Sequence, residues 1–401
     1  MGLLFKLLAG TLALTSVVDA GDLLNFDNQN NVIPNSYIVV MKDGTSSSDF
    51  DSHKNWAARV HRGNLAKRGS SDFAGLKFSF DIEGWRGYSG KFDSETIKEI
   101  VNHANVANVE PDRMASGTLL YETQKDAPTW GLGRVSHIKR GSSDYVYHRS
   151  AGEGVTAYIV DTGIDITHPE FEGRAEWGTN VVDEVPTDEH GHGTHVAGTI
   201  ASKTYGVAKK AKVIAVKALG KDSRGPDSGI IAAMDWAVKH AKERRLIGKA
   251  VMNLSLTGDT ATALNAAAEN AVKAGLFLGV AAGNANRDAI NESPASVKSV
   301  CTAAASSIDD TKASFSNFGS LIDVYAPGNR ILSTLPGNRT GIFSGTSMAA
   351  PHVCGVAALL MSSAGVPPQV ACDAIKALAH PAITNPGVNT TAKLLYNASF
   401  Q

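Results

Sequence analysis

The sequence predicts a protein of two parts: a small α+β domain, followed by a larger α/β domain of three layers with a mostly parallel sheet. Through the second part, short apolar runs alternate with helical segments, which is the order of a parallel sheet covered on both faces. The region from residue 33 to about residue 109 has a different order, with two strands placed side by side between helices. The 401 residues exceed one average domain, and the 43% of hydrophobic residues can fill a sizeable core.

The first twenty residues have the layout of a secretory signal peptide. Lys6 precedes an apolar run over residues 7–14, and a short exit segment ends at Ala20, after which we expect cleavage. The run is too short to span a bilayer, and no later stretch offers about 18 uninterrupted apolar residues. A buried N-terminal helix is the other interpretation of this segment. We expect a secreted, extracellular protein without a membrane partner.

Strand and helix patterns between residues 33 and 109 follow the order βαββαβ. The predicted elements are strand 37–41, helix 49–60, strands 75–80 and 88–92, helix 94–103 and strand 106–110. Ser94 is the predicted N-cap of the second helix, and Glu95 lies in its first turn, where the helix dipole favours an acid. The order predicts a small domain of ferredoxin-like type, either a free-standing module or a partner of the domain behind it.

The larger domain is defined by five predicted strands and two predicted helices. The strands are 155–160, 212–219, 250–256, 276–282 and 299–305, and the helices are 228–242 and 260–274. In sheets of this kind, functional residues lie beyond the carboxyl ends of the strands. Asp161 and Asn284 each follow one of these strands, so we expect both at that edge of the sheet.

An acid, a base and a nucleophile occur along the chain in the order Asp161, His192 and Ser347. A serine hydroxyl is a weak nucleophile until an imidazole takes its proton, and a carboxylate orients that imidazole and stabilises its charged form. Ser347 also precedes the apolar segment 348–360, which is typical of a buried helix. The N-terminus of such a helix favours the anion that forms in acyl transfer. We therefore predict Ser347 as nucleophile, His192 as general base and Asp161 as the orienting acid.

Segments 159–163, 192–195 and 344–352 resemble the three active-site signatures of the subtilase family. The order Asp, His, Ser fits subtilisin-like chains, whereas chymotrypsin-like chains and α/β-hydrolases have other orders. From about residue 122 onward, the sequence is similar to the fungal proteinase K-like branch of that family. The resemblance implies a subtilisin-like fold and a serine endopeptidase of broad specificity that acts on extracellular proteins and peptides. It also implies that Asn284 is the second donor of the oxyanion hole.

The same resemblance implies a role for the N-terminal part. Behind the signal peptide (1–20), residues 21–121 are similar to the inhibitory propeptide of subtilases, and residues 122–401 then form the peptidase domain. The propeptide is expected to act as intramolecular inhibitor and folding chaperone of a zymogen that processes itself. We expect the maturation cut near Leu120 to Thr123.

Substrate-binding residues are also implied by the resemblance. Two extended edges are expected to pair with the peptide backbone, and a third segment is expected to form a wall of the pocket for the residue before the scissile bond. The edges contribute Ser223, Gly225, Ser255, Leu256 and Thr257, and the wall contributes Ala281 and Gly283. The sequence departs from the family at Thr257, Asp227 and Glu292. Bulk or acidity there is expected to narrow the cleft or to favour basic side chains.

Three cysteines in a secreted chain predict one disulfide and one free thiol. The resemblance implies that Cys301 pairs with Cys372. Cys354, on the apolar helix behind Ser347, is then expected to be a buried free thiol.

No cofactor is expected for catalysis, but the resemblance implies a structural Ca²⁺ site. Asp323 and the carbonyls of Lys298 and Val300 match the family's tight site, and a hard cation prefers such oxygens. A second site of the branch lacks its carboxylate near Ile383.

The net charge of -1 offers no electrostatic basis for binding nucleic acid, and we expect a monomer. Sequons predict N-linked glycans at Asn291, Asn338, Asn389 and Asn397. Asn253 also heads a sequon, but it lies on a predicted buried strand and is expected to stay unmodified.

Two other enzyme classes and one class of binding protein compete with this interpretation. A zinc hydrolase would use His190, His192 and His195, but the metalloprotease pattern needs histidines four apart with an intervening Glu. An esterase of the α/β-hydrolase type would need a G-x-S-x-G elbow at Ser347. A catalytically inactive binding protein conflicts with the filled catalytic positions.

Since the predicted base is an imidazole, we expect the enzymatic activity to fall below about pH 6.5.

Overall fold

The computed structural model describes residues 21–24, 26, 32–68, 73–113 and 120–399. The predicted signal peptide, residues 1–20, lies outside the described residues. The chain forms two compact units, residues 1–118 and 119–401. Leu120 and Tyr121, which the sequence analysis assigned to the propeptide, are bonded to the second unit: the Arg149 N–H donates to the Leu120 carbonyl, and Tyr121 pairs with His148.

The first unit is a largely antiparallel sheet with two helices. Its elements are β1 (Asp22–Leu23), β2 (Val32–Met41), α1 (Ser47–Arg68), β3 (Gly75–Ile82), β4 (Trp85–Lys91), α2 (Ser94–Val101) and β5 (Val106–Arg113). The strands lie in the order β1-β5-β2-β4-β3, and β1 alone among these described strands runs parallel to its neighbour. Leaving β1 aside, the arrangement is the predicted βαββαβ domain of ferredoxin-like type.

Helix α2 packs on this sheet through Ile97 and Ile100, which are buried together with Val39 and Val109 of the central strands. The helix is capped by Asp93, whose carboxylate accepts hydrogen bonds from the N–H groups of the next turn. The prediction of Ser94 as the N-cap is wrong, because Asp93 has the extended backbone of a cap and Ser94 is the first helical residue.

The second unit contains the remaining strands and helices. Its strands are β6 (Tyr121–Gln124), β7 (Tyr145–His148), β8 (Thr156–Asp161), β9 (Ala175–Asn180), β10 (Lys212–Lys217), β11 (Ala250–Leu254), β12 (Gly258–Asp259), β13 (Phe277–Ala281), β14 (Glu292–Ser293), β15 (Cys301–Ser306), β16 (Val324–Pro327), β17 (Ile331–Leu335), β18 (Arg339–Phe343), β19 (His380–Pro381) and β20 (Lys393–Leu394). Its α-helices are α3 (Trp130–Ser136), α4 (His192–Ala201), α5 (Asp227–Glu243), α6 (Thr262–Lys273), α7 (Thr346–Ala364) and α8 (Pro368–Leu378). Short 3-10 helices cover Pro169–Phe171 and Ala289–Asn291.

One nine-stranded sheet organises this unit, in the order β19-β20-β16-β15-β13-β11-β8-β10-β9. Neighbouring strands are parallel except for β19 and β20. The five strands that the sequence predicted are β8, β10, β11, β13 and β15, with slightly different ends. They lie in the interior of the sheet, where both faces are covered. Because their residues are buried on both faces, the sequence has continuous apolar runs there.

Two apolar cores cover the two faces of the sheet, so that the unit has three layers. One core includes buried residues of α4, α7 and α8, and the other includes those of α5 and α6. Within the part of the chain that the structure describes, α7 is the one helix long and apolar enough to cross a membrane, and 78% of its apolar window is buried in the protein. Such burial is typical of a core helix.

The disulfide joins Cys301, at the start of β15, to Cys372 of α8, with their Cα atoms 5.5 Å apart. This bond ties α8 to the sheet. Cys354 of α7 is a buried free thiol, and burial raises its pKa above the ordinary value.

The predicted glycosylation sites differ in exposure. Asn291, Asn338 and Asn389 are exposed, whereas Asn253 is fully buried. Asn397 is only 7% exposed, and its amide nitrogen donates to the Val146 carbonyl at 2.8 Å. The prediction of a glycan at Asn397 is therefore wrong for the folded chain, because the nitrogen that would carry the sugar is enclosed.

Candidate active site

A carboxylate and an imidazole meet at the carboxyl end of β8. Asp161 is the last residue of this buried strand, and His192 is the first residue of α4. Nδ1 of His192 lies 2.7 Å and 3.0 Å from the two carboxylate oxygens of Asp161. Burial alone would lower the pKa of His192, but the charge and hydrogen bond of Asp161, helped by Asp188, raise this pKa above its ordinary value. Because Nδ1 is bonded to Asp161, Nε2 on the other side of the ring faces away from Asp161.

Glycines allow these two side chains to meet. Gly191, the N-cap of α4, has a φ of 98°, in the left-handed region that favours glycine. A Cβ atom on Gly193 would lie 2.1 Å from the carbonyl oxygen of Gly163, a distance that carbon and oxygen atoms do not reach without a bond. The glycines thus let α4 begin directly against the loop that follows β8.

Asp188, which is 3% exposed, holds the start of α4 through both of its carboxylate oxygens. Oδ1 accepts from the Thr162 hydroxyl at 2.8 Å and from the N–H groups of the two residues before the helix, His190 and Gly191. Oδ2 accepts from the N–H and the hydroxyl of Thr194, at 2.9 and 2.7 Å. Asp188 was not predicted from the sequence, although an aspartate shortly before a helix is a capping signal.

Ser347 is the second residue of α7, whose N-cap is Gly345. Its hydroxyl donates to the backbone carbonyl of Ser255 at 3.1 Å. In return, the Ser255 hydroxyl donates to the Ser347 carbonyl at 2.8 Å, and the side chain of Asn253 donates to the Ser255 hydroxyl at 2.8 Å. Ser347 and His192 line the same cleft. In the free protein, the Ser347 hydroxyl therefore rests on the Ser255 carbonyl.

Asn284 lies next to the start of α7 and also lines the cleft. Its Oδ1 accepts from the N–H of Thr346 at 2.8 Å and from the Thr346 hydroxyl at 3.0 Å. Because the oxygen is held on the helix side, Nδ2 is the group that can serve as a donor in the cleft. Thr346, which the sequence analysis did not single out, also accepts from the N–H of Gly283 at 3.1 Å, so it links the pocket wall to the helix.

The cleft has a volume of about 430 Å³ and brings most of the predicted substrate-binding residues together. Its lining includes Ser223, Gly225, Ser255, Leu256, Thr257 and Ala281. Gly283 is buried and lies outside this lining. It supports the wall from behind, through its bond to Thr346.

Glu292 is not an open acid at the pocket. It is 4% exposed, and its Oε1 accepts from Nε of Arg287 at 2.6 Å and from Nδ2 of Asn317 at 3.2 Å. The prediction that acidity at Glu292 favours basic substrates is therefore wrong, because its charge is already paired with a guanidinium group. For Asp227, which is exposed and lines the cleft beside Arg224, the effect stays a prediction.

The histidines near the site have structural contacts. Nε2 of His195 lies 3.0 and 3.1 Å from the carbonyls of Ile331 and Gly341, and its ring stacks on Phe343 with the centroids 4.6 Å apart. Nδ1 of His352 bonds a carbonyl of its own helix. Burial lowers the pKa of both His195 and His352 to about 4. Both rings are therefore neutral near pH 7.

Among the described residues, one group of three possible metal ligands lies within mutual reach: Cys301, Asp323 and Cys372. Two of these form the disulfide, and the histidines of the zinc alternative do not converge. Asp323, the predicted calcium ligand, has its Oδ2 bonded to the N–H of Thr302 at 2.9 Å, and its Oδ1 lies 3.3 Å from Nζ of Lys376. A calcium ion would share this carboxylate with an ammonium group, so the residues present do not fit the ion.

Comparisons with known proteins agree with this geometry. The model of the subtilase family matches residues 152–391, and that of peptidase inhibitor I9 matches residues 36–116. A subtilisin-like protease of Coccidioides posadasii is 71% identical over 399 residues, covering 100% of both chains. Subtilisin-like protease 3 of Arthroderma otae is 55% identical over 394 residues, covering 98% of both chains. The crystal structure of a cold adapted subtilisin-like serine proteinase matches with a TM-score of 0.63 and 40% identity, covering 67% of this chain and 97% of the other.

Proposed function

Because this chain belongs to the subtilase family and is a serine endopeptidase, we propose that it is secreted as a self-processing zymogen and cleaves extracellular proteins and peptides with broad specificity. Hydrolysis runs through an acyl-enzyme on Ser347, with His192 as general base, Asp161 orienting the base and Asn284 in the oxyanion hole. The observation that carries the proposal is the Asp161–His192 pair, with atoms 2.7 Å apart, on the cleft that Ser347 also lines.

The first step begins when substrate enters the cleft. A substrate N–H that bonds the Ser255 carbonyl takes the acceptor that the Ser347 hydroxyl uses in the free protein. The hydroxyl then turns to Nε2 of His192, which takes its proton as Oγ bonds to the substrate carbonyl carbon. Asp161 stabilises the imidazolium that results.

The negative charge of this step develops on the substrate carbonyl oxygen. Its donors are the N–H of Ser347, at the positive end of α7, and Nδ2 of Asn284, whose orientation is set by the two bonds from Thr346 to Oδ1. The C–N bond then breaks, and His192 passes its proton to the leaving amine. A water molecule, activated by the same imidazole, cleaves the ester and restores the Ser347 hydroxyl.

Broad specificity is supported by the composition of the cleft. Backbone pairing along extended edges uses groups that every peptide has. Of the charged residues on its rim, Arg224 is a cation and Asp227 an anion, while Glu292 is neutralised behind the wall by Arg287. We therefore expect cleavage after residues of several kinds, without a strong selection for one sign of charge.

The zymogen character is supported by the inhibitor match over residues 36–116. Strand β6 pairs in register with β7 from Tyr121 onward, and the Tyr121 hydroxyl donates to the Ala398 carbonyl at 2.9 Å. A cut on the N-terminal side of Tyr121 leaves these bonds intact. We place the maturation bond at that end of the predicted window from Leu120 to Thr123.

Secretion is supported by the predicted signal peptide and by the disulfide. We propose glycans at Asn291, Asn338 and Asn389, whose side chains are exposed. The protein is expected to act as a monomer, without nucleic acid, membrane or a catalytic cofactor.

Fluorophosphonate labelling of the secreted protein tests the function, combined with peptide mapping of the adduct and determination of the N-terminal residue. We expect an adduct on Ser347 and an N-terminus near Tyr121. Casein hydrolysis measured in parallel separates a protease from an esterase.

The matched variants are Ser347→Ala and Ser344→Ala, because Ser344 is an exposed serine three residues away whose hydroxyl bonds Asn329. The first is expected to remain unprocessed and unlabelled, and the second is expected to label and to mature. A processed wild-type chain that takes no label would instead favour the catalytically inactive binding protein.

A further inference from the structure

Asp323 lies at the amino ends of the parallel strands, on the edge of the sheet opposite the catalytic residues. It directly precedes β16, beside the start of β15. We propose that the ammonium group of Lys376 is the built-in cation of this position and takes the place of the calcium ion that the family resemblance implies.

The side chains around Asp323 support an internal ion pair. Its carboxylate is 19% exposed, and such a partly enclosed charge needs a compensating partner. Nζ of Lys376 lies 3.3 Å from Oδ1 of Asp323 and 2.8 Å from Oδ1 of Asp373. The ammonium group therefore lies between two carboxylates.

The disulfide and helix α8 keep Lys376 within reach. Cys372 is bonded to Cys301, the residue before Thr302, whose N–H donates to Oδ2 of Asp323. Lys376 follows Cys372 by one helical turn, so both side chains lie on the same face of α8. At the end of that helix, Nζ of Lys393 donates to the Lys376 carbonyl at 2.7 Å. The position of Lys376 beside Asp323 is thus fixed from both sides.

Calcium at this position would meet unfavourable conditions. Both oxygens of Asp323 already accept, from Thr302 and from Lys376, whereas Ca²⁺ needs six to eight free oxygens. A divalent ion would therefore have to displace the ammonium group of Lys376 from Asp323.

Thermal unfolding of the full chain tests the proposal, in a Ser347→Ala background that prevents self-cleavage. The Tm of this parent is measured with CaCl₂ and with EDTA, each at about 5 mM, because an ion that binds only the folded state raises Tm. We expect the same Tm in both buffers. In EDTA, Lys376→Met is expected to lower Tm by about 2–4 °C, and Lys376→Arg, which keeps the cation, is expected to stay near the parent.

Lys239→Met is the matched control, because Lys239 forms an exposed helical pair with Asp235 and should not change Tm. Asp323→Asn locates any calcium effect. A rise of the parent Tm in calcium that Asp323→Asn abolishes would overturn the proposal, as would a Tm of Lys376→Met equal to that of the parent in EDTA. If calcium still raises the Tm of Asp323→Asn, the ion binds at another position, and Lys376 remains the cation beside Asp323.

Discussion

The starts of helices α4 and α7 bring His192 and Ser347, the proposed base and nucleophile, to one cleft, but the two helix starts are held in different ways. At α4, the carboxylate of Asp188 accepts five hydrogen bonds, and the ring of His192 is already bonded to Asp161. At α7, neutral groups hold the helix, and the hydroxyl of Ser347 rests on the carbonyl of Ser255. In the proposed mechanism, the base is therefore oriented before substrate arrives, whereas the nucleophile is released by the substrate.

The charges at the two helix starts differ for a related reason. Asp188 places a negative charge at the positive end of α4, where it complements the helix dipole. The first turn of α7 has no acidic residue. In the proposed mechanism, the N–H groups of α7 therefore remain available to the oxyanion, which forms only during catalysis.

The largest predicted effect concerns the partner of the base. Asp161→Asn is expected to lower kcat by about 10⁴-fold, because an amide cannot stabilise the imidazolium and favours the wrong tautomer. The change also removes the main influence that raises the pKa of His192, so the acid limb of the residual activity should move to lower pH. Peptide hydrolysis measured from pH 5 to pH 9 tests both effects.

Asp165→Asn serves as the matched control, since Asp165 is a nearby aspartate whose bonds go to Thr167 and Gly337. It should keep near-normal kcat. A loss below tenfold for Asp161→Asn would mean that the ring of His192 is oriented by something else.

The second effect concerns the oxyanion donor beside α7. Asn284→Ala is expected to lower kcat about 100- to 1,000-fold with little change in KM, because Nδ2 acts on charge that develops in the transition state; this range comes from another subtilase. Asn286→Ala, two residues away with its side chain bonded to Lys312, is the control. A rise of KM at unchanged kcat would show that Asn284 binds the ground state.

The third effect concerns Asp188, which acts through α4. In Asp188→Asn, an NH₂ group replaces one carboxylate oxygen. Because an NH₂ group cannot accept a hydrogen bond, the bonds from Thr194 or from Gly191 are lost. We expect a loss of about 2 kcal/mol in the free energy of unfolding and an acid limb of activity shifted to lower pH, since Asp188 contributes to the raised pKa of His192. Urea unfolding and pH–rate profiles measure the two. An unchanged acid limb in a destabilised variant would assign Asp188 a structural role alone.

The last effect concerns the buried histidines behind the two helix starts. His195 and His352 have a pKa of about 4 in the folded protein and about 6.5 in an unfolded chain. The unfolded chain therefore binds more protons between these values, and stability falls as pH drops from about 6.5 towards 4. Thermal unfolding of the Ser347→Ala protein should show Tm falling over this range. A Tm independent of pH there would mean that other groups compensate.

Local patterns account for what the sequence predicted correctly. The central strands β8, β10, β11, β13 and β15 were found because burial on both faces requires uninterrupted apolar residues. The disulfide partners, Cys301 and Cys372, are 71 residues apart and were implied only by the family resemblance. Predictions that depended on the surroundings of one polar side chain were less successful. Glu292 was expected to add acidity at the pocket and Asn397 to carry a glycan, yet Arg287 pairs with the first and the Val146 carbonyl accepts from the second.

The sequence by itself determined the fold class and the order of the elements, and it predicted the acid, base and nucleophile, because glycine-rich motifs and apolar periodicity act over a few residues. Only the tertiary structure decided which groups face one another: Ser347 against Ser255, Asp188 beneath α4, and Lys376 against Asp323. Such pairings join residues far apart in the chain, and their energy depends on burial and on distances of a few ångströms. Those quantities exist only after the layers have packed.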